Sequence, residues 1–154
     1  MANFTIRVYG ILINSKQEVL VTDEFIRGNF FTKFPGGGLE FGEGTRDCLV
    51  REFMEEANLP ITVGSHIYTT DFFQISAFNQ QDQIISIYYF AHTTEPIHLV
   101  TKQRRFDFEP HQIADPTACA EVFRWIPLSD FTPECVDLPI DKIVVALLKN
   151  NSVQ

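Results

Sequence analysis

The chain has 154 residues, of which 45% are apolar and 21% are charged, and its formal net charge is −8. These values are typical of one globular domain with a buried core and exclude a disordered chain, so a single domain is expected over residues 1–154. The acidic charge and the absence of long Lys/Arg runs in the sequence argue against a surface that binds DNA or RNA.

Two strand-like runs open the chain. Residues 4–13, FTIRVYGILI, are rich in β-branched and aromatic side chains, and residues 18–25, EVLVTDEF, continue in the same way. Asn14 and Ser15 between them are typical turn residues. We therefore predict that these two runs pair as a β-hairpin.

The second half of the chain is expected to add further strands and a terminal helix. Residues 61–78 and 83–92 are strand-like runs separated by a polar turn, so antiparallel pairing is predicted. Residues 94–119 have no clear period and are predicted to be an irregular connection. A last strand is predicted near 121–126, and helical spacing of apolar residues predicts a helix over 137–150.

A helix is also predicted between these groups of strands, over roughly residues 46–57. Gly44 or Thr45 provides its N-cap. Asn58 provides its end, because asparagine tolerates the left-handed backbone conformation that stops helices.

Three carboxylates crowd one face of this helix. Glu52, Glu55 and Glu56 have the spacing i, i+3 and i+4, at which like charges repel by about a few tenths of a kcal/mol per pair. They also occupy the C-terminal half, where the helix dipole disfavours negative charge. Two interpretations remain open: a solvated acidic face on which Arg51 pairs with Glu55, or a site for Mg²⁺ or Mn²⁺, which prefer hard oxygen ligands.

A glycine triplet precedes the helix. Gly36, Gly37 and Gly38 allow a backbone carbonyl or amide to approach a ligand closely, although they are equally typical of an ordinary tight turn. The stretch is not a P-loop, because Glu43 stands where that motif has lysine. It is not a dinucleotide-binding GxGxxG loop either, because Phe41 occupies the third glycine position.

The stretch GGGLEFGEGTRDCLVREFMEEANL resembles the Nudix box from Gly37 to Leu59. The pattern of that family is glycine, five residues, glutamate, seven residues, Arg-Glu, an apolar residue, any residue, Glu-Glu, any residue, glycine and an aliphatic residue. The one departure is Asn58 in place of the final glycine. The flanking segments FPGG and WIPL are also similar to the family. The matching positions are Gly37, Glu43, Arg51, Glu52, Phe53, Glu55, Glu56 and Leu59.

This resemblance implies an α/β Nudix fold, with a mixed β-sheet sandwiched between helices. It also implies a Mg²⁺-dependent hydrolase that cleaves the diphosphate linkage of a nucleoside diphosphate derivative, such as ADP-ribose, a nucleoside triphosphate or a dinucleoside polyphosphate. The expected partner is therefore a small-molecule nucleotide, and the family also allows a homodimer. The alternative is a catalytically silent Nudix-fold module that senses a nucleotide.

The resemblance further implies roles for the residues of the box. The metal ion, Mg²⁺ or Mn²⁺, would be held by three side chains and one backbone carbonyl, those of Glu52, Glu55, Glu56 and Gly37. The catalytic residues would be Glu52, as ligand or general base, Arg51, which orients the carboxylates, and Glu43, the additional box glutamate. The general base could equally be one of four later carboxylates, those of Asp107, Glu109, Asp115 and Glu121.

Substrate contacts are less specific in the sequence. Arg27 and Lys33 are candidate phosphate ligands. Phe31 is a candidate for stacking on a nucleobase. We expect these three residues to contribute to substrate binding.

The cysteines and the N-terminal residues indicate in which cellular compartment the protein is expected. Cys48, Cys119 and Cys135 are widely spaced and form no CxxC pair, which fits neither a disulfide framework nor a zinc site. The stretch MANFTIRVYG lacks the apolar core of a signal peptide, and no window holds about 18 uninterrupted apolar residues. A cytoplasmic protein without a membrane partner is therefore expected.

Overall fold

The structure is a computed structural model and describes residues 1–151 of the chain. Its helices and strands fall into two compact units, one made of residues 1–12 and 35–98 and the other of residues 13–34 and those from 99 onwards. In chain order the elements are β1 (Asn3–Leu12), β2 (Glu18–Ile26), β3 (Asn29–Lys33), β4 (Gly36–Gly38), α1 (Thr45–Ala57), β5 (Thr62–Thr69), β6 (Asp82–His92), β7 (Thr101–Lys102), α2 (Pro110–Ile113), β8 (Cys119–Pro127) and α3 (Pro139–Asn151).

The first unit contains a mixed four-stranded sheet with the order β4-β1-β6-β5. Strand β1 runs parallel to β6 and antiparallel to β4, while β5 and β6 pair antiparallel as predicted. The three glycines of β4 therefore form an edge strand. Because β4 pairs with the central part of β1, the glycine stretch is held in a fixed register, with Gly37 opposite Val8.

Helix α1 packs against β1 at Gly10. A β-carbon at this position would lie 2.8 Å from Cε1 of Phe53 and 3.3 Å from Cδ2 of Leu49, and β-carbons essentially never come as close to another carbon as the first of these distances. Phe53 and Leu49 are both buried. Glycine at position 10 therefore allows the helix that carries the acidic residues to lie directly on the sheet.

The ends of α1 agree with the prediction made from the sequence. Gly44 is the N-cap, and its N–H donates to the Asp47 carboxylate at 3.3 Å. Asn58 ends the helix in the left-handed conformation, at φ 49° and ψ 41°. Its N–H donates to the Met54 carbonyl at 3.1 Å, so the last turn keeps its hydrogen bonds.

The second unit contains the other mixed sheet, with the order β3-β2-β8-β7. A buried ion pair links two of its strands: Asp23 on β2 accepts hydrogen bonds from Nε and Nη2 of Arg124 on β8, at 2.8 and 3.0 Å. The same carboxylate accepts from the Thr32 hydroxyl at 2.7 Å and from the Phe106 N–H at 3.2 Å. Its charge is therefore compensated by several donors, as burial requires.

The predicted hairpin between residues 4–13 and 18–25 is wrong. The turn at Asn14 forms, but only Ile13 and Val19 pair across it. Strand β1 already has a partner on each side, and so does β2, which pairs with β3 and β8. Neither strand has an edge left for the other, so the two runs belong to different sheets.

The remaining element predictions are mostly confirmed. The α/β fold class, the last strand and the terminal helix are present, and residues 94–119 hold only the two-residue β7 and the single turn α2. The run 61–78 ends as a strand at Thr69, after which only Ile75 forms an isolated bridge. Strands β3 and β4 were not predicted. No helix in residues 1–151 is long and apolar enough to cross a membrane.

Candidate active site

The glycine strand and helix α1 bring a backbone segment and a carboxylate together. The Glu52 carboxyl group occupies the space that a side chain at position 37 would need. The side chain of Glu52 is only 11% exposed, whereas that of Glu55, the next acidic residue along the helix, is 58% exposed. Gly37 is therefore required at this position, because a β-carbon there would push the Glu52 carboxylate away.

Arg51 connects the acidic residues of this region. Its Nη1 donates to Glu52 at 3.0 Å and to Glu55 at 3.2 Å. Its Nε and Nη2 both donate to the carboxylate of Glu43, and Nη2 also donates to the Gly38 carbonyl at 3.0 Å. We refer to these five residues as the Arg51 cluster. The guanidinium offsets the repulsion between carboxylates that the sequence predicts.

The pKa of Glu43 reflects this arrangement. Hydrogen bonds from the Arg51 side chain and from the backbone N–H of Glu40 lower the pKa of Glu43 to about 2 from its ordinary value of 4.5. The neighbouring carboxylates raise the pKa of Arg51 above its ordinary value. Both groups therefore stay charged at neutral pH, and the lowered pKa makes Glu43 a weak proton acceptor.

Cys48 lies beside the cluster but is not a nucleophile. It is buried, and its Sγ is 3.5 Å from the Gly38 carbonyl oxygen. Burial, together with the negative charge of Glu43, raises the pKa of its thiol to about 12. A thiol with this pKa is protonated at neutral pH, so covalent catalysis by Cys48 is not supported.

The donor groups suit a hard divalent cation. Carboxylate and carbonyl oxygens are the ligands that Mg²⁺ and Mn²⁺ prefer, and Gly37 and Glu52 lie against each other. Glu55 and Glu56 follow on α1 and are exposed. Within residues 1–151, no three His, Cys, Asp or Glu side chains are already grouped as a metal site, and Arg51 holds two of these four candidate ligands.

The candidate substrate residues lie on the β2–β3 hairpin of the second unit. Arg27 is at its tip, in the left-handed conformation with φ 48°. Phe31 pairs in register with Glu24. Lys33 is 2% exposed, and its Nζ lies 2.7 Å from the Glu24 carboxylate. Burial, the largest single effect, works to raise the pKa of Glu24, but the charge of Lys33 and side-chain hydrogen bonds with Lys33, Thr22 and Glu121 together outweigh it, so the net shift is downward. Lys33 is thus part of a buried ion pair.

The four later carboxylates also belong to the second unit and have local partners. Asp107 pairs with Arg104, and Glu109 lies 3.8 Å from Lys102. Backbone and side-chain hydrogen bonds from Thr117 lower the pKa of Asp115, which weakens it as a base. Glu121 lies on β8 in register with Glu24 of β2.

One group of interacting residues in the second unit was not predicted from the sequence. Arg105 donates to the Thr32 hydroxyl at 2.9 Å and to the Asp137 carboxylate at 2.8 Å. Thr32 also contacts Asp23, the partner of Arg124. These residues are far apart in the chain and follow no motif, so no sequence signal identifies their association.

The comparisons with known proteins identify the family of the chain. The family model of the NUDIX domain matches residues 3–147, which include the whole of the box from Gly37 to Leu59. The chain belongs to the NUDIX domain family and is a hydrolase of that family. The general activity of these hydrolases is cleavage of a pyrophosphate linkage in small nucleotide substrates, generally with a divalent metal.

Solved structures show the same fold. The E. coli ORF135 protein is 18% identical, with 97% of this chain and 93% of that chain covered and a TM-score of 0.64. The MutT protein of Methanosarcina mazei Go1 is 15% identical, with coverages of 98% and 96% and a TM-score of 0.66. A NUDIX hydrolase of Nitrosomonas europaea is 16% identical, with coverages of 97% and 95% and a TM-score of 0.59. None of the curated proteins matches the sequence.

Proposed function

We propose that the chain is a Mg²⁺-dependent pyrophosphatase that cleaves the diphosphate linkage of a nucleoside diphosphate derivative. The substrate class includes nucleotide sugars such as ADP-ribose, nucleoside triphosphates and dinucleoside polyphosphates. The observation that carries the proposal is the position of the Glu52 carboxylate, which is packed against Gly37 and bound by Arg51. A carboxylate held in this position, in a site of oxygen donors, is suited to assist the attack of water on phosphorus.

The residues of the box have distinct roles in this proposal. Glu52, Glu55, Glu56 and the Gly37 carbonyl would hold Mg²⁺, with Mn²⁺ as a substitute. Arg51 and Glu43 keep the carboxylates in place, because their own hydrogen bonds are short and paired. When bound, the cation supplies charge neutralisation at the phosphate oxygens and a lowered pKa for water.

The reaction is a hydrolysis in which one bond forms and one breaks. The oxygen of water bonds to phosphorus as the bridging P–O bond of the diphosphate breaks, giving a nucleotide and a phosphorylated second product. A carboxylate accepts the proton of the attacking water. Glu52, the least exposed box carboxylate, is our candidate for this role, as the alternative to serving as a metal ligand. Glu43, with its pKa of about 2, is too weak a base.

We also propose three substrate-binding residues, Arg27, Phe31 and Lys33, and the structural support differs between them. Arg27 is exposed at a hairpin tip and can bind phosphate. Phe31 is partly exposed and can stack on a base. Lys33 is bound to Glu24, so its contact with substrate would be made from within an ion pair.

The organisation and location of the protein are proposed on narrower grounds. The family match over residues 3–147 supports one Nudix domain across 1–154. The free thiols of Cys48, Cys119 and Cys135 support a reducing compartment such as the cytoplasm. The net charge of −8 argues against a nucleic acid as partner, and a small nucleotide is proposed from the family. A homodimer is proposed from the family alone.

The test is hydrolysis of a panel of nucleoside diphosphate derivatives with and without Mg²⁺. The wild-type chain is compared with Glu52→Gln, Glu55→Gln and Glu56→Gln. Glu95→Gln, which removes the same charge from an exposed residue outside the box, is the matched control. We expect metal-dependent turnover that falls at least about 100-fold in each of the three box variants and is unchanged in the control.

Two results would contradict the proposal. Turnover that is equal with and without metal would show that the reaction does not require the cation. Tight nucleotide binding without any turnover would favour the nucleotide-sensing alternative, and isothermal titration calorimetry with the same panel distinguishes it from a protein that binds no nucleotide.

A further inference from the structure

The proposed metal carboxylates lie on one element and the proposed carbonyl ligand on another. All three carboxylates are carried by α1, whereas Gly37 belongs to the edge strand β4. Helix α1 rests on β1 at Gly10, where Leu49 and Phe53 fill the space above the glycine. A contact at one point fixes how closely the helix lies on the sheet, but the direction of the helix depends on contacts elsewhere along it. The first turn of α1 supplies such contacts.

Arg46 ties the first turn of α1 to strand β5. Its Nη1 donates to the backbone carbonyls of Val63 and Gly64, at 3.1 and 2.9 Å. The register of β5 against β6 shifts between Val63 and His66, and a shift of this kind interrupts the regular ladder. The guanidinium therefore holds the helix to the sheet at an irregular point of β5, through two charge-assisted hydrogen bonds.

Tyr89 on β6 supports the same turn. Cζ of Arg46 lies 4.7 Å from the centroid of the Tyr89 ring, which is the geometry of a cation–π contact. The Tyr89 hydroxyl is 2.7 Å from Oγ1 of Thr45, and the ring of His66 packs at the edge of the tyrosine, with centroids 5.7 Å apart. Because Tyr89 is buried, its ring and hydroxyl give Thr45 and Arg46 a rigid support.

The first turn and the last carboxylate of the box lie on opposite sides of the contact with Gly10. Counted along α1, this contact is centred near position 51, between the two side chains that make it. Arg46 and Glu56 are each five residues from that position, which is about 7.5 Å along the helix axis. A displacement of the first turn about the contact would therefore move Glu56 by a similar amount in the opposite direction. Glu52 would move little, because it lies next to the contact.

We propose that Arg46 is a positioning residue for the metal site. By holding the first turn of α1 to β5 and to Tyr89, it fixes the direction of the helix and thereby the places of Glu55 and Glu56 relative to the Gly37 carbonyl. This control matters because metal ligands must lie within about 0.2 Å of their preferred distances. Loss of a group that orients the ligands typically lowers metal affinity by about 10- to 100-fold. The inference rests on the metal site of the proposed function.

The test is binding of Mn²⁺ to the free protein, measured by isothermal titration calorimetry without substrate. Wild type is compared with Arg46→Gln, which removes the charge, and with Arg46→Lys, which keeps it. Lys16→Gln is the matched control, because it removes one positive charge from the exposed turn after β1. We expect the Kd for Mn²⁺ to rise about 10-fold in Arg46→Gln and to be unchanged in the control. Arg46→Lys should recover part of the loss, because an ammonium can also bind a carbonyl and lie over a ring.

Electrostatics alone predicts the opposite sign, because removing a positive charge from the helix favours the binding of a cation. Weaker Mn²⁺ binding in Arg46→Gln therefore reports a change in the position of the ligands. Tyr89→Phe removes only the hydroxyl contact with Thr45 and leaves the charge unchanged, and we expect it to give a smaller rise in Kd. Thermal unfolding of the metal-free proteins shows whether each variant is folded. Should Arg46→Gln not fold, the raised Kd is sought in Arg46→Lys and Tyr89→Phe.

The outcomes separate this inference from the proposed function. An unchanged or lower Kd in the folded variants would overturn the inference and leave the hydrolase standing, since turnover of the wild-type chain is measured separately. A raised Kd in a chain that hydrolyses nothing in the panel would support the positioning role, while the proposed hydrolysis would fail. Absence of Mn²⁺ binding to the wild-type chain would overturn the inference together with the proposed metal site.

Discussion

Arg51 and Glu43 are joined by two parallel hydrogen bonds, from Nε to Oε2 at 3.0 Å and from Nη2 to Oε1 at 2.7 Å. This is the paired geometry in which a guanidinium binds a carboxylate most strongly and with a fixed orientation. The same arginine also binds Glu52. Arg51 and Glu43, which are eight residues apart in the chain, therefore determine together where the proposed catalytic carboxylate lies.

The first prediction concerns the pH dependence of stability. The pKa of Glu43 is about 2 in the folded chain against an ordinary value of 4.5. Its lowered pKa means that the contribution of the pair is complete above pH 4.5 and is lost as the pH falls towards 2. In urea unfolding, Glu43→Gln should be less stable than wild type near neutral pH, and the difference should shrink through this acidic window. A constant difference across that window would refute the assignment.

The second prediction concerns Gly37. In Gly37→Ala the new methyl group would occupy the space of the Glu52 carboxyl, so the side chain must move and turnover should fall about 100-fold. Overpacking should also lower the free energy of unfolding by about 1–3 kcal/mol. Gly38→Ala is the control for stability, because its nearest neighbour would be 3.9 Å away. Equal stability of the two variants, measured by urea unfolding, would contradict this account.

The third prediction concerns Asn58, the position at which the box departs from the family pattern. Its left-handed conformation, at φ 49°, suits glycine better than any residue with a β-carbon. Asn58→Gly should therefore stabilise the chain by about 0.5–1 kcal/mol, and Asn58→Ala should destabilise it by about 1 kcal/mol. Thermal and urea unfolding measure both changes. The opposite order of stability would show that the asparagine side chain has another role.

These residues show which features of the fold and of the candidate site can be predicted from the sequence. Helix α1 and its end at Asn58 were predictable because caps, apolar spacing and the box are local signals. The pairing of β1 with β6 was not, because the two strands are far apart in the chain and the turn at Asn14 favours a hairpin with β2. The box residues were predictable as a set, but their connection through Arg51 to Gly38 and Glu43 depends on distances between side chains that spacing alone does not give.

The interior of the second unit shows the same limit. Lys33 and Arg124 carry charges that normally lie at the surface, yet each is buried beside a carboxylate, that of Glu24 or Asp23. Only the packing of strands that are distant in sequence determines these partners. A charged residue in a strand therefore says little about exposure until its neighbours are known.

The fourth prediction concerns the reactivity of the cysteines. Burial and the charge of Glu43 raise the pKa of Cys48 to about 12, whereas Cys119 is exposed. At mildly alkaline pH a thiol reagent should modify Cys119 in the folded chain and Cys48 only after unfolding. Peptide mapping by mass spectrometry identifies the modified residue, and Cys119→Ser serves as the control. Rapid modification of Cys48 in the folded chain would show that α1 opens readily.

Gly10 lies beneath helix α1, outside the proposed metal site. Because the ring of Phe53 and the side chain of Leu49 fill the space above this residue, its missing side chain fixes the separation between the sheet and α1. Glu52 is carried by the same helix and Gly37 by the same sheet, so that separation is also the depth of the proposed metal site. A methyl group at position 10 would thus act as a spacer that moves Glu52 away from Gly37, while every proposed ligand remained in the sequence.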